Sequence, residues 1–263
     1  MREKHTSLEH LQIDRRSFGK LALFGAAATA SLTIPTKQAA AKERPSGEQG
    51  PDAEALADKM LAAVNHDAWL ATGAITWKFG RSVHLWDRKR NLCRVQKGNK
   101  TILVDIATKK GVAFKRGERV GGERGARWVE KAWASWANDS FWLNPVVKIR
   151  DGGTSRAIVQ MEDGTRGLLV SYASGGVTPG DAYLWLVDES GRPYEWRLWV
   201  SILPVGGMRF SWEDWTRIST GAWISQFHDG LFNIRVKDLD AAPTLEKLVG
   251  KEDPFEPLFT PST

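Results

Sequence analysis

The sequence predicts an α+β fold: a strongly curved antiparallel sheet or unclosed β-barrel of about eleven strands, with helices covering its concave side. Three observations predict it. Short runs of alternating apolar and polar residues succeed one another with Gly-, Asn- and Asp-bearing turns between them, the pattern of a meander rather than of βαβ units. Two stretches of helical spacing stand before and within the strands, where they can lie across the sheet. A meander of this length must also bend to limit its exposed edges.

The first 41 of the 263 residues read as an export signal rather than as part of the fold. Asp14-Arg15-Arg16-Ser17-Phe18-Gly19-Lys20 precedes a mildly apolar run, Leu21 to Leu32, and the tract Ala39-Ala40-Ala41 resembles a signal-peptidase site. Paired arginines, a Phe two positions on and a Lys before the apolar run are the marks of a twin-arginine signal. The run is short and rich in Ala, Thr and Gly, which favours cleavage over retention as an anchor. The expected location is therefore the periplasm or another extracytoplasmic space. The single cysteine, Cys93, excludes an intramolecular disulfide and reads as a small buried apolar residue. Residues 1–41 hold six Lys/Arg and three Asp/Glu, so half of the net charge of +6 leaves with the signal. What basicity remains is concentrated between Lys97 and Arg127, as a solvated sheet edge or as a contact for anionic lipid headgroups. Nucleic acid is not an expected partner in that compartment.

Residues 42–51 are a polar linker and residues 52–240 the folded domain, with 241–263 a polar C-terminal tail lying over the surface. Asp52 is placed to cap a helix from Ala53 to about Ala68, with Leu56, Met60, Ala63 and Val64 on one stripe. From Thr72 the period changes to two. Ile75, Trp77 and Phe79 share one face of a strand, Gly80-Arg81 turns it, and Val83, Leu85 and Asp87 continue. Strands follow around Cys93 to Val95, Thr101 to Ile106 and Val112 to Lys115. A second helix is expected from Glu123 to Asn138, carrying Val129, Ala132, Trp133 and Trp136, with Asn138-Asp139 ending it. Phe141-Trp142-Leu143-Asn144-Pro145 then reads as an irregular apolar connector. Strands resume at Arg156–Met161 and Gly167–Tyr172, and later at Met208–Trp215, Ala222–His228 and Phe232–Val236.

Between these lies a hairpin with arms Asp181–Asp188 and Tyr194–Val200. Gly191 can take positive φ in its turn, and Pro193 keeps the chain extended. Tyr183, Trp185 and Val187 fall on one face, Leu184 and Leu186 on the other. In the return arm Tyr194, Trp196, Leu198 and Val200 oppose Glu195, Arg197 and Trp199. Arms apolar on both sides require cover on both sides.

The order of elements from Asp52 to Asp240 resembles the LolA/LolB-like superfamily of periplasmic lipoprotein carriers and their relatives. So does the run Gly175-Gly176-Val177-Thr178-Pro179-Gly180-Asp181 leading into Tyr183-Leu184-Trp185-Leu186-Val187-Asp188 and its turn to Pro193. The resemblance implies an unclosed barrel with helices over its mouth and an apolar cavity able to hold acyl chains. It implies no catalysis. Such carriers usually use the general secretory route, whereas this chain carries paired arginines.

Thirteen tryptophans exceed ordinary core needs, and several occupy alternating strand positions. The expected ligand-binding residues are Trp77, Phe79, Trp185, Trp196, Trp199 and Trp212, with Trp133 and Trp136 facing them from the second helix. The ligand class is a lipid or acyl chain, in a non-enzymatic binding protein that touches membrane surfaces transiently and needs no cofactor. The alternative is an envelope polysaccharide-binding module or glycoside-acting enzyme using Glu195, Glu213 or Asp214 in a Trp-rich groove, since paired carboxylates are what glycoside cleavage needs. A cavity simply filled by side chains, in a scaffold protein, is a third reading. His66, His84 and His228 lie in separate elements without metal-ligand spacing and read as surface or partly buried residues. The paired glycines at 121, 152, 175 and 206 read as turns, because no Lys-Ser/Thr follows them.

Overall fold

A computed structural model describes residues 43–173, 180–200 and 206–260. The expected twin-arginine signal and the segment Gly175–Pro179 lie outside the described residues. The chain enters with helices α1 (Pro51–Ala63) and α2 (His66–Ala71). A meander follows: β1 (Ala74–Phe79), β2 (Ser82–Asp87), β3 (Leu92–Lys97), β4 (Lys100–Asp105), β5 (Gly111–Lys115) and β6 (Glu118–Val120). Helix α3 (Gly122–Leu143) and a 3-10 turn (Pro145–Lys148) lead into β7 (Thr154–Gln160), β8 (Arg166–Tyr172), β9 (Ala182–Val187), β10 (Pro193–Trp199) and β11 (Met208–Ser211). The chain finishes with β12 (Glu213–Arg217), β13 (Trp223–His228), β14 (Ile234–Ala242), α4 (Leu245–Val249) and a last 3-10 turn (Glu256–Leu258).

These fourteen strands, more than the eleven or so expected, form two unclosed antiparallel sheets. One has nine strands in the order β12-β13-β14-β1-β2-β3-β4-β5-β6, the other five in the order β11-β10-β9-β8-β7. The expected α+β class with a curved, open antiparallel sheet is what the chain adopts. Met208–Trp215 is not one strand. Trp212 separates β11, in the five-stranded sheet, from β12, in the nine-stranded one, and so joins the two sheets.

Helices α1 to α3 lie on the inner side of the sheets. Ala53, Ala57, Met60, Leu61 and Val64 of the first helical region pack with Leu168, Val170, Trp185 and Trp196 of the smaller sheet. Glu54 fixes α1 to β7, accepting from Arg150 at 2.6 Å and Arg156 at 2.9 Å. The first helix is shorter than expected because Asn65 takes a left-handed conformation, φ 53°, and α2 starts afresh after it. Nor does Asp52 cap it; its carboxylate accepts from Arg166.

Helix α3 is longer than expected. It runs straight through Asn138-Asp139 to Leu143, so Phe141, Trp142 and Leu143 are helical rather than a connector. Asp139 does not turn back on the backbone because its carboxylate is taken by His84 and Ser135. Trp133 and Trp136 do not face the central hairpin: Trp133 donates to the Ile106 carbonyl, and Trp136 packs edge-on against Trp86.

The outer side of the nine-stranded sheet is covered by the chain after Pro243, which does more than lie over the surface. Phe255 is fully buried among Leu85, Leu92 and Leu103. On the outer side of the five-stranded sheet, Val159, Leu169, Leu184 and Leu186 form a second apolar layer with Trp199. The hairpin β9–β10 is apolar on both faces, as its sequence requires. Its turn sits tightly on α1: Gly191 has φ 88°, and a Cβ there would lie 2.9 Å from the Lys59 carbonyl oxygen.

Candidate functional site

The inner face of β9 and β10 carries a continuous aromatic cluster. Trp185 and Trp196 are register partners, with ring centroids 4.9 Å apart. Trp212, arriving at the joint between the sheets, lies 5.2 Å from Trp185 and 4.9 Å from Trp196. Tyr183 stacks on Trp196 at 4.7 Å, and Trp142 from the last turn of α3 meets it edge-on at 4.9 Å. His228, at the end of β13, closes the cluster 4.2 Å from Trp212. Trp185, Trp196 and His228 have no exposed surface and Trp212 has 2%. These rings therefore meet one another and the helices, not an open mouth.

Their polar atoms are the chemistry of the site. The indole N–H groups of Trp185, Trp196 and Trp212 are buried without a hydrogen-bond partner, and so is His228 Nε2. A buried donor left unpaired forfeits about 1–3 kcal/mol, so several in one cluster call for an explanation. His228 Nδ1 lies 3.1 Å from the Ser211 carbonyl oxygen, which only accepts, and this places the ring proton on Nδ1. Burial lowers the His228 pKa to about 4, against the backbone carbonyls of Ser211 and Trp142, which favour the charged form. The imidazole is neutral at pH 7 and its Nε2 is an acceptor. The cluster thus offers three donors and one acceptor.

Of the six residues expected to line a cavity, Trp185, Trp196 and Trp212 come together. Phe79 borders this cluster and the next one. Trp77 belongs to that next cluster, stacked on His84 at 4.7 Å and 16°. Trp199 is on the opposite face of the smaller sheet, with Leu184 and Leu186. Three members of the cluster were not singled out as ligand residues from sequence: Tyr183, placed only on the face of Trp185; Trp142, assigned to a connector; and His228, read as at most partly buried.

The carboxylates do not converge on the rings. Glu195 is 4% exposed and clamped by Arg197 at 3.0 Å and Arg209 at 2.5 Å, on the face opposite Trp196. Glu213 and Asp214 are exposed on β12, Asp214 pairing with Arg235 at 3.5 Å. Cys93 is fully buried, and burial pushes its thiol pKa up. Two shallow hollows of about 230 and 210 Å³ flank the C-terminal segment around Glu252 and Asp253, away from the aromatic cluster. Among the described residues, no three His, Cys, Asp or Glu side chains are grouped to hold a metal, and no helix is long and apolar enough to cross a membrane.

No family model matches the chain, and no curated protein matches it. Among solved structures it is similar to a DUF1329 family protein from Desulfovibrio piger, at 8% identity and a TM-score of 0.42, over 78% of this chain and all of that one. It is also similar to an outer membrane lipoprotein-sorting protein domain from Vibrio parahaemolyticus, at 8% identity and a TM-score of 0.29, over 75% of this chain and 95% of that one. At these values neither likeness carries an argument about family or activity.

Proposed function

We propose that this is an exported, non-enzymatic protein of the periplasm or another extracytoplasmic space that binds a hydrophobic molecule, a lipid or free acyl chain. Its polar end would lie among Trp185, Trp196, Trp212 and His228. The observation that carries this reading is the set of buried, unpartnered polar atoms within one aromatic cluster. A hydroxyl or a protonated carboxyl supplies an oxygen for the indole N–H groups and an O–H for His228 Nε2. An alkyl chain attached to it would find Met60, Leu168 and Val170 in the same apolar layer. Because the rings are buried, admission requires α1 and the last turn of α3 to part from the smaller sheet. The paired arginines and apolar run of the N-terminus support a location outside the cytoplasm.

The test is native mass spectrometry of the protein purified from the cell envelope, followed by displacement of an apolar dye with a fatty acid. A bound lipid mass, and displacement weakened by Trp212→Phe (which keeps the ring and removes the N–H), are the expected results. Unliganded mass throughout, no dye displacement and binding of soluble glycans instead would overturn the proposal.

A further inference from the structure

We propose that the N-terminal half of α3 and the two hairpin tips beside it form a docking surface for an anionic lipid bilayer. Between Lys97 and Lys131 the net charge is +6, whereas the rest of residues 42–263 carries −3. The strand register gathers that charge. Lys97 pairs with Lys100 across the β3–β4 turn, and Lys100 with Lys115 across β4 and β5. The Arg116 amide donates to the Asn99 carbonyl at 2.8 Å, holding the β5–β6 tip against the β3–β4 tip. Helix α3 crosses here, with Lys100 Nζ 4.2 Å from the centre of the Trp128 ring. Arg124 and Lys131 stand four residues before and three after Trp128, on the same helix face.

Five of these six cations are exposed, and Lys100 is half-buried. Among the described residues none of the six forms an ion pair; Glu123, the acid nearest the start of α3, is taken by Arg127 at 3.1 Å. Glu118 and Glu130 are the remaining acids of the two tips and of the N-terminal half of α3. The positive end of the α3 dipole adds to the same field.

Charge alone would serve any polyanion, and the half-buried Trp128 favours a bilayer. An indole with a cation at its face is suited to the boundary between headgroups and acyl chains. A planar anionic surface engages both tips and the helix at once, while the negative remainder of the molecule turns the other sides away. Lys109 and Lys110 belong to the same basic stretch but lie at the opposite end of β4 and β5, with Lys109 over Trp133 at 3.9 Å. They make an internal comparison.

The inference does not depend on the interior ligand, because the experiment needs no cargo: co-sedimentation of the protein with phosphatidylglycerol-containing vesicles and with phosphatidylcholine vesicles, at low and high salt. Binding to the anionic vesicles only, weakening with salt, is expected. Each cation neutralised should weaken it about fivefold, so that Lys97→Gln/Lys115→Gln/Arg116→Gln/Arg124→Gln loses on the order of several hundredfold. Lys109→Gln/Lys110→Gln should bind like the parent, and Trp128→Ala should bind more weakly with an unchanged salt slope. Thermal melts of the lysine and arginine variants should match the parent, since those side chains lie at the surface. The proposal is overturned if no anionic-vesicle binding occurs, or if the Lys109/Lys110 pair costs as much as the patch. It is equally overturned if heparin binds through the patch while vesicles do not.

Discussion

His84 Nε2 and Asp139 Oδ2 are 2.7 Å apart inside the protein, tying the middle of β2 to the C-terminal half of α3. Neither residue has more than 6% of its surface exposed. Ser135 Oγ donates to the same carboxylate oxygen at 3.1 Å, and the His84 ring is stacked on Trp77. This pair sets where α3 lies on the nine-stranded sheet, and so where Trp142 enters the aromatic cluster.

Removing one partner of this hydrogen bond leaves the other's polar atom buried and unpaired, at a cost of about 1–3 kcal/mol. Asp139→Ala is expected to lose that much in urea denaturation. Asp139→Asn, which can still accept from His84 or Ser135, should lose clearly less. Equal losses would contradict this account, because an isosteric acceptor at position 139 would then keep none of the interaction.

His228 makes stability depend on pH. Its folded pKa, about 4, lies below the ordinary value of 6.5, so between these values the unfolded chain binds a proton that the folded chain refuses. The contribution is intact above pH 6.5 and is lost as the pH falls towards 4. The full loss is about 3 kcal/mol. Urea midpoints across this window should fall more steeply for the parent than for His228→Gln, and parallel curves would refute the assignment.

Phe255 is the anchor of the C-terminal segment. Phe255→Ala should destabilise by about 3–5 kcal/mol, as for other large aromatic side chains removed from a core. It should also increase binding of an apolar dye, because Leu85, Leu92 and Leu103 lose their cover. A change within about 0.5 kcal/mol, the range of ordinary surface substitutions, would show that the segment is not part of the core.

Gly191→Ala tests the seat of the central hairpin on α1. Positive φ disfavours any side chain there, and the new Cβ would press on the Lys59 backbone. A loss of more than about 1 kcal/mol in denaturant melts is expected, and a neutral effect would contradict the close approach.

The meander was legible because its alternation and turns are local. Ile75, Trp77 and Phe79, or Trp185 against Leu184 and Leu186, declare their faces without reference to anything distant. The continuation of α3 also had a signal: Val129, Ala132, Trp136, Asp139 and Leu143 keep a spacing of three and four through the polar pair at 138–139. It was masked because an Asp can end a helix when its carboxylate is free, and only the folded chain shows His84 occupying it. The joint at Trp212 had no local signal, since apolar alternation reads the same whether a strand stays in one sheet or leaves it. The same holds for Phe255, a lone aromatic in a polar tail, and for His228, whose burial depends on α3 arriving from eighty residues upstream. Trp199 was misplaced for a different reason. Its alternation set it opposite Trp196, but with both faces apolar nothing in the sequence said which one was inward.

The most direct test of the aromatic cluster as a ligand site is a proton–nitrogen correlation spectrum of the protein labelled at the tryptophan indoles, recorded while oleate is added. The indole N–H signals of Trp185, Trp196 and Trp212, assigned through their Phe variants, should move together and saturate at one equivalent, because each gains an acceptor. If those three stay fixed while only indoles outside the cluster, such as Trp128, respond, the cluster is solid core and the site is not there.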